Sequence, residues 1–504
     1  MNQLKMGAIL SYLSIFISIL LALLYTPFMI RILGQSEYGL YSLIGSIAAY
    51  FSVMDLGLGN ALVRYSARNR EIGNAHSAAK LNGLFLMLYT AIGLITIVVG
   101  IVVYNSVDSI FGNGLSSDDI FKAKIMIIIL IINFALSFPL SIFNSILRAH
   151  ERFVIDKTIS IVRIVLGPLL ILPIIYVGYG AISMVVITTA VNLMCLLFTM
   201  VYCFKKLNVG FHFGKMDMKL TREILGYSFL VFLGVVVDQI YWQTDQIILG
   251  AVSGTVPVAI YAIAMLFVKL YKQFSTAISG LLLPRISMMV AKNVGNEKLS
   301  NLMIRYGRIQ YFIITLILCG YILYGKEFIF YWAGSEYNET YYIGLIILIP
   351  LTIPLVQNIG VNILYAKNLQ GFRAMVLIVI AILNIFISIP VAKIYGGIGV
   401  AVITALTILL GNVLIMNIYY QKKIGLNMIT FWKNILLATI PIALSITVGY
   451  FISMLFVQES IFYLGVKIVV YTLIHALFIY FIGFNSYEKQ LIKSIVGKVK
   501  TRIM

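Results

Sequence analysis

The chain has 504 residues, 61% of them hydrophobic, only 11% charged, and a mean hydropathy of +1.01. No soluble globular core accounts for so apolar a composition, so the class is an all-α membrane protein. The net charge of +19 is not a nucleic-acid signal, because the cations follow the gaps between apolar stretches rather than forming a patch.

A spanning helix needs about 20 apolar residues. Fourteen stretches meet this: 6–30, 38–60, 81–104, 122–145, 157–177, 181–204, 224–249, 256–283, 306–325, 341–364, 374–395, 398–420, 434–456 and 464–484. Lys5 and the first run have the outline of a signal peptide. The run is too long, however, and ends in Pro27 and Arg31 without a small-residue cleavage site, so it reads as a retained span. Its Ser11, Ser14, Ser18 and Tyr25 form a weakly polar stripe suited to close helix packing. Arg31 and Arg64 close the first two spans at opposite mouths, where interfacial anchoring is the default reading. All ten prolines fall inside spans or at their edges, where the carbonyls they free need a partner or a wet cavity.

Several ionisable residues lie within spans: Asp55, Arg163, Asp238, Asp245, Lys269, Lys272 and Lys467. Each costs ~2.5–3.5 kcal/mol at the bilayer centre even on the mild insertion scale, so several must face a cavity or one another. Arg163 sits six residues into an apolar span and is the best single interior cation. The seventh span carries Asp238-Gln-Ile-Tyr-Trp-Gln-Thr-Asp245-Gln246, with Asp238, Trp242 and Asp245 on one helical face. Its two carboxylates are ~10.5 Å apart along the axis, too far for one ion to bridge. They serve separately at a cation or proton site, or belong to a buried polar seam. Lys269 and Lys272 are ~4.5 Å apart in rise on one face of the eighth span. They suit a lipid diphosphate or acidic sugar, or else reach the interface or pair with Asp238 or Asp245. Lys467, early in the last span, is expected to snorkel to the outer interface.

With the N-terminus cytoplasmic, the inside segments and Arg308 hold 28 of the 37 Lys and Arg residues, and the outside segments five. Acidic residues divide eight outside to seven inside. Positive charge follows orientation and negative charge does not, so both termini are expected to face the cytoplasm. The bias, with attraction to anionic lipid, accounts for the net charge. Cys195, Cys203 and Cys319 all lie in spans, which argues against a disulfide framework, and the four histidines lack metal-ligand spacing. No nucleotide-binding G-x-x-x-x-G-K-[ST] loop occurs, and no loop is long enough for a catalytic domain.

Ile32-Leu33-Gly34 recurs as Ile248-Leu249-Gly250, and Val186-Ile187-Thr188 as Val402-Ile403-Thr404, at one shift. Duplication predicts an N-terminal lobe at 1–204 and a linker at 205–223. A C-terminal lobe follows at 224–420, then two appended helices at 421–484 and a basic tail at 485–504. Six spans per lobe place both lobes in one orientation, as in transporters built from parallel repeats.

Arg31-Ile-Leu-Gly-Gln-Ser-Glu-Tyr-Gly-Leu-Tyr41, continued by Met54-Asp-Leu-Gly-Leu-Gly-Asn-Ala-Leu-Val-Arg64, resembles a signature of bacterial polysaccharide-biosynthesis membrane proteins. These are the Wzx-type oligosaccharide flippases of the multidrug/oligosaccharidyl-lipid/polysaccharide exporter superfamily. Leu147-Arg-Ala-His-Glu-Arg-Phe153 is similar to that family's next cytoplasmic segment. The resemblance implies about 14 transmembrane helices in the bacterial cytoplasmic membrane: two six-helix lobes in a V-shaped, MATE-like arrangement and two C-terminal helices. It implies alternating-access transfer of undecaprenyl-diphosphate-linked oligosaccharide units to the outer leaflet, for capsule, O-antigen or exopolysaccharide. Arg31, Arg64, Lys269 and Lys272 map to the basic residues of the family's cavity, joined here by Arg163. Relatives that hold sodium point to Asp238 or Asp245 with Asn384 and Thr404, although the eleventh span has no carboxylate. A proton or sodium is the expected coupling ion. Membrane lipids, the lipid-linked substrate and polysaccharide-assembly proteins are the expected partners. The alternatives are a cation-coupled multidrug exporter on the same fold and a membrane glycan polymerase or ligase.

Overall fold

A computed structural model describes residues 3–72, 75–214, 218–455, 460–490 and 493. Parts of the expected 205–223 linker and most of the 485–504 tail lie outside the described residues. Helix dominates, and no strand occurs among the described residues.

The first helix, α1 (Gln3–Val53), is interrupted at Gly34, with φ 76° and ψ 172°. That conformation is essentially restricted to glycine, and it separates the first two expected spans. The second expected span does not run unbroken to residue 60. It turns over residues 54–57, where Leu56 and Gly57 take positive φ, before α2 (Leu58–Ile72) begins. The chain continues through α3 (Ala75–Phe111), α4 (Ser117–Ala149), α5 (Phe153–Tyr176) and α6 (Ala181–Leu207). Ser116 caps α4 by accepting the Asp119 N–H at 3.1 Å, with Asp118 and Asp119 in the first turn.

A closely similar order follows: α7 (Met218–Val252), α8 (Thr255–Gly280), a short α9 (Leu283–Ala291) and a long α10 (Asn296–Ala333). The expected 341–364 span divides at Gln357 into α11 (Asn338–Val356) and α12 (Asn358–Ala366). In α11, Pro350 and Pro354 remove hydrogen-bond donors just before the break. Then come α13 (Gln370–Ile408), interrupted at Gly396 with φ 54°, and α14 (Met416–Tyr419), flanked by π-helical turns at Leu409–Ile415 and Tyr420–Ile424. Last are α15 (Met428–Leu455) and α16 (Ile461–Phe478).

Eleven stretches of the described chain are long and apolar enough to cross a membrane, so the protein is a multi-pass membrane protein. Fourteen were expected. Met6–Ser66 and Gln370–Ile424 each hold two expected spans, separated at Gly34 and Gly396, and α7 covers the seventh outside the eleven. One side-chain hydrogen bond spans the break at Gly396. Asn384 donates to Thr404 at 3.1 Å, twenty residues away, whereas twenty residues of straight helix would separate them by about 30 Å.

The contacts define two units, Met1–Ala262 with Ile385–Val400 and Ile263–Asn384 with Ala401–Met504. In the first, α3 packs on α4, α4 on α6, and α1 on both α5 and α7. Ile9, Leu13, Phe16, Leu20, Leu24 and Phe28 form an exposed stripe along α1, suited to lipid contact. On another part of α1, Gly7 approaches Phe153 closely, and Ser11 donates back to the Gly7 carbonyl at 2.8 Å. Close approach of this kind drives helix association in lipid, where the apolar effect is absent. In the second unit α10 packs on α11, α15 and α16. Phe312, Cys319, Tyr324, Ala438, Ile442, Leu464 and Tyr471 form the core of that cluster.

Candidate functional site

Arg163 lies on α5, which carries no other charge after its first two turns. Its side chain is half-buried, and its Nε is enclosed without a hydrogen-bond partner. A buried donor left unsatisfied costs about 1–3 kcal/mol, more when charged, so an anionic acceptor would be stabilised there. Arg31, three residues before the break at Gly34, and Arg64 on α2 are both exposed. On α8, Lys269 is exposed and Lys272 half-buried. Arg31, Arg64 and Arg163 belong to the first unit, Lys269 and Lys272 to the second.

The polar run of α7 divides into two environments. At its C-terminal end, Ser46 donates to Gln246 Oε1 at 2.8 Å, and Gln243 Oε1 lies 3.3 Å from the same hydroxyl. The hydroxyls of Tyr50 and Thr244 also bond to each other. Asp245, 3% exposed, accepts the Tyr261 hydroxyl at 2.6 Å. This end is therefore a hydrogen-bonded seam between α7, α1 and the start of α8. Asp238 is exposed, and beside it the enclosed Gln239 Oε1 has no hydrogen-bond partner. Asp238 is thus the accessible acid of the pair, and Asp245 is the one built into packing. The Asn384–Thr404 contact, 3% and 1% exposed, is in the second unit.

Asp55 sits in the turn between α1 and α2. Its carbonyl accepts the Leu58 N–H at 3.0 Å, and its carboxylate accepts the Tyr89 hydroxyl at 3.1 Å. The acid therefore holds a helix break together rather than standing in mid-helix. Lys467 is 5% exposed and pairs with Glu327 of α10 at 3.0 Å, a partner the apolar pattern alone does not indicate.

Two ionic arrangements had no signal in the sequence beyond the residue types. Glu37, inside the quoted motif, pairs with Lys122 at 2.6 Å and accepts the Ala181 N–H at 2.7 Å. Arg308, expected at a cytoplasmic mouth, is buried. Its guanidinium donates to Glu488 at 2.8 and 3.1 Å and to the Gly483 carbonyl at 2.8 Å.

Residues 4–290 match the family described as Polysaccharide biosynthesis protein. Among solved structures, the chain is similar to "Lipid II flippase MurJ, inward closed conformation", with a TM-score of 0.70 at 17% identity. That match covers 94% of this chain and 97% of the other. An inward-facing multidrug resistance MATE family transporter of the MOP superfamily matches with a TM-score of 0.55 at 17% identity, covering 78% and 96%. An outward-facing conformation of such a transporter gives 0.54 at 16%, covering 82% and 95%. At these identities the likeness is one of fold. No curated relative matches the sequence.

Proposed function

The chain belongs to the polysaccharide biosynthesis protein family, and from that membership we propose that it is a flippase for undecaprenyl-diphosphate-linked oligosaccharide units. It carries them from the inner to the outer leaflet of the bacterial cytoplasmic membrane by alternating access, with both termini cytoplasmic. The two six-helix lobes and two appended helices expected from the repeat are the moving parts. The product feeds capsule, O-antigen or exopolysaccharide synthesis, alongside other polysaccharide-assembly proteins.

The observation that carries this reading is Arg163, a membrane-embedded cation whose enclosed Nε has no hydrogen-bond partner. A diphosphate supplies the acceptor this donor lacks. Arg31, Arg64, Lys269 and Lys272 extend the positive field along the route. The glycan hydroxyls, each costing several kcal/mol in hydrocarbon without a hydrogen bond, travel in a wet interior while the polyprenyl tail stays in lipid. A proton or sodium bound at Asp238, at Asp245 or by Asn384 and Thr404 couples the cycle.

The test is leaflet exchange of a fluorescent lipid-linked oligosaccharide in proteoliposomes. Arg163→Ala is expected to slow exchange by about 10–100-fold, the equivalent of one charged hydrogen bond of ~1.5–3 kcal/mol. Arg163→Lys should retain part of the rate. Unchanged exchange in Arg163→Ala sinks the reading. The exposed Asp238 favours a second reading, a cation-coupled multidrug exporter. Uptake of a lipophilic cation that depends on Asp238, without exchange of the glycolipid, would select it.

A further inference from the structure

A groove of about 440 Å³ lies between α10, α11 and α15, within the second unit. That is the size of small-molecule sites, about 300–1,000 Å³. Ile353, Val356 and Leu436 give it carbon walls. Its polar side chains are turned to other uses. The Tyr311 and Thr439 hydroxyls bond to each other at 2.8 Å, and the Trp432 indole donates to Asn417 at 2.7 Å. Lys433 is the exception. It lines the groove, is exposed, and forms no ion pair among the described residues. The adjoining segment 421–433 carries Lys422, Lys423 and Lys433 and no acidic residue.

We propose that this groove holds one acyl chain of an anionic glycerophospholipid whose phosphate rests on Lys433. From Lys433 to Thr439 the groove follows α15 for about 9 Å, leading from a cationic, tryptophan-marked end towards hydrocarbon. Lysine and tryptophan take such positions at membrane interfaces. An apolar groove gains little from an acyl chain in a solvent made of acyl chains. Any preference among lipids must therefore come from the headgroup, and among the described residues Lys433 is the only cation on the groove wall. The proposal uses no residue of the transport reading and does not rest on it.

The experiment is tryptophan quenching of the full-length protein in mixed phosphatidylglycerol and phosphatidylcholine vesicles, with brominated acyl chains on one lipid class at a time. The Trp432 signal is the difference between the native protein and Trp432→Phe. A tryptophan at the 72%-exposed Leu436, introduced as Leu436→Trp, gives a second reporter independent of the Asn417 contact. Brominated phosphatidylglycerol is expected to occupy the groove about fivefold more readily, the equivalent of ~1 kcal/mol for one lysine at a membrane surface. Lys433→Gln, at an exposed position, should bring the two lipids to parity. Four results would overturn the proposal. These are parity in the native protein, a preference that survives Lys433→Gln, absence of quenching by either lipid, and displacement of the quencher by a polyprenyl phosphate, which would assign the groove to the carrier's own tail.

Discussion

Glu37 accepts the backbone N–H of Ala181 at 2.7 Å, across 144 residues of sequence. The N-cap of α6 is Gly180, which has no side chain to satisfy the first turn, so a carboxylate from α1 does it instead. The other oxygen of Glu37 takes the Lys122 ammonium, which also pairs with Asp118 at 2.6 Å. One acid from the motif thereby ties α1, just after its break, to the starts of both α4 and α6.

Replacing that acid should weaken the first unit measurably. Glu37→Ala is expected to lower unfolding stability by about 1–2 kcal/mol, the usual cost of losing a helix cap, with the partly solvated ion pair adding little. Denaturant titration in detergent reads this directly. A loss under about 0.3 kcal/mol would mean that water replaces the carboxylate without penalty.

Gly39 gives a sharper contrast. A Cβ there would run into the carbonyl oxygen of Thr255, a backbone atom that cannot rotate away. Gly39→Ala is expected to cost about 1–3 kcal/mol as overpacking. Gly45→Ala, on the same helix with nothing within 4 Å of its Cβ, should stay within about 0.5 kcal/mol of the parent. Thermal unfolding of the two variants side by side separates steric contact from general helix effects.

The buried Arg308–Glu488 pair should behave non-additively. Removing one partner, as in Glu488→Leu, leaves a charge enclosed and is expected to cost about 3–5 kcal/mol. Arg308→Met combined with Glu488→Leu should recover much of that loss, because no uncompensated charge remains. A double-mutant cycle on unfolding free energies checks the sign of the coupling.

Asp245 and Tyr261 separate packing from chemistry on α7. Asp245→Asn still accepts the Tyr261 hydroxyl, so stability should change by less than about 1 kcal/mol. Tyr261→Phe removes the donor from a buried carboxylate and is expected to cost about 1.5–3 kcal/mol. Transport that falls in Asp245→Asn while the unfolding midpoint holds would place this acid in the ion cycle. Transport that holds in Asp245→Asn would leave Asp238 as the working acid.

The membrane-crossing helices were legible because apolar runs of bilayer length have few other uses, and the glycine breaks at 34 and 396 fall between expected spans. The break at 54–57 was hidden, since Met54-Asp-Leu-Gly57 interrupts an apolar run without a polar loop. Arg163 could be singled out from its apolar neighbours alone. Its missing partner could not, because an enclosed nitrogen is a property of packing. The different surroundings of Asp238 and Asp245 were equally invisible: helical spacing puts both on one face, and burial together with the Tyr261 hydroxyl, from the start of α8, sets them apart. The partner of Lys467 was also out of reach of the sequence, because Glu327 lies 140 residues away.

The Arg308–Glu488 contact also constrains how this protein can be handled. Glu488 is fixed by a reciprocal cap, donating its N–H to Asn485 at 2.9 Å and accepting the Asn485 N–H at 2.8 Å. Trimming the chain back beyond Asn485 would strand a guanidinium among α10, α15 and α16, and the shortened protein would be expected to aggregate on detergent extraction.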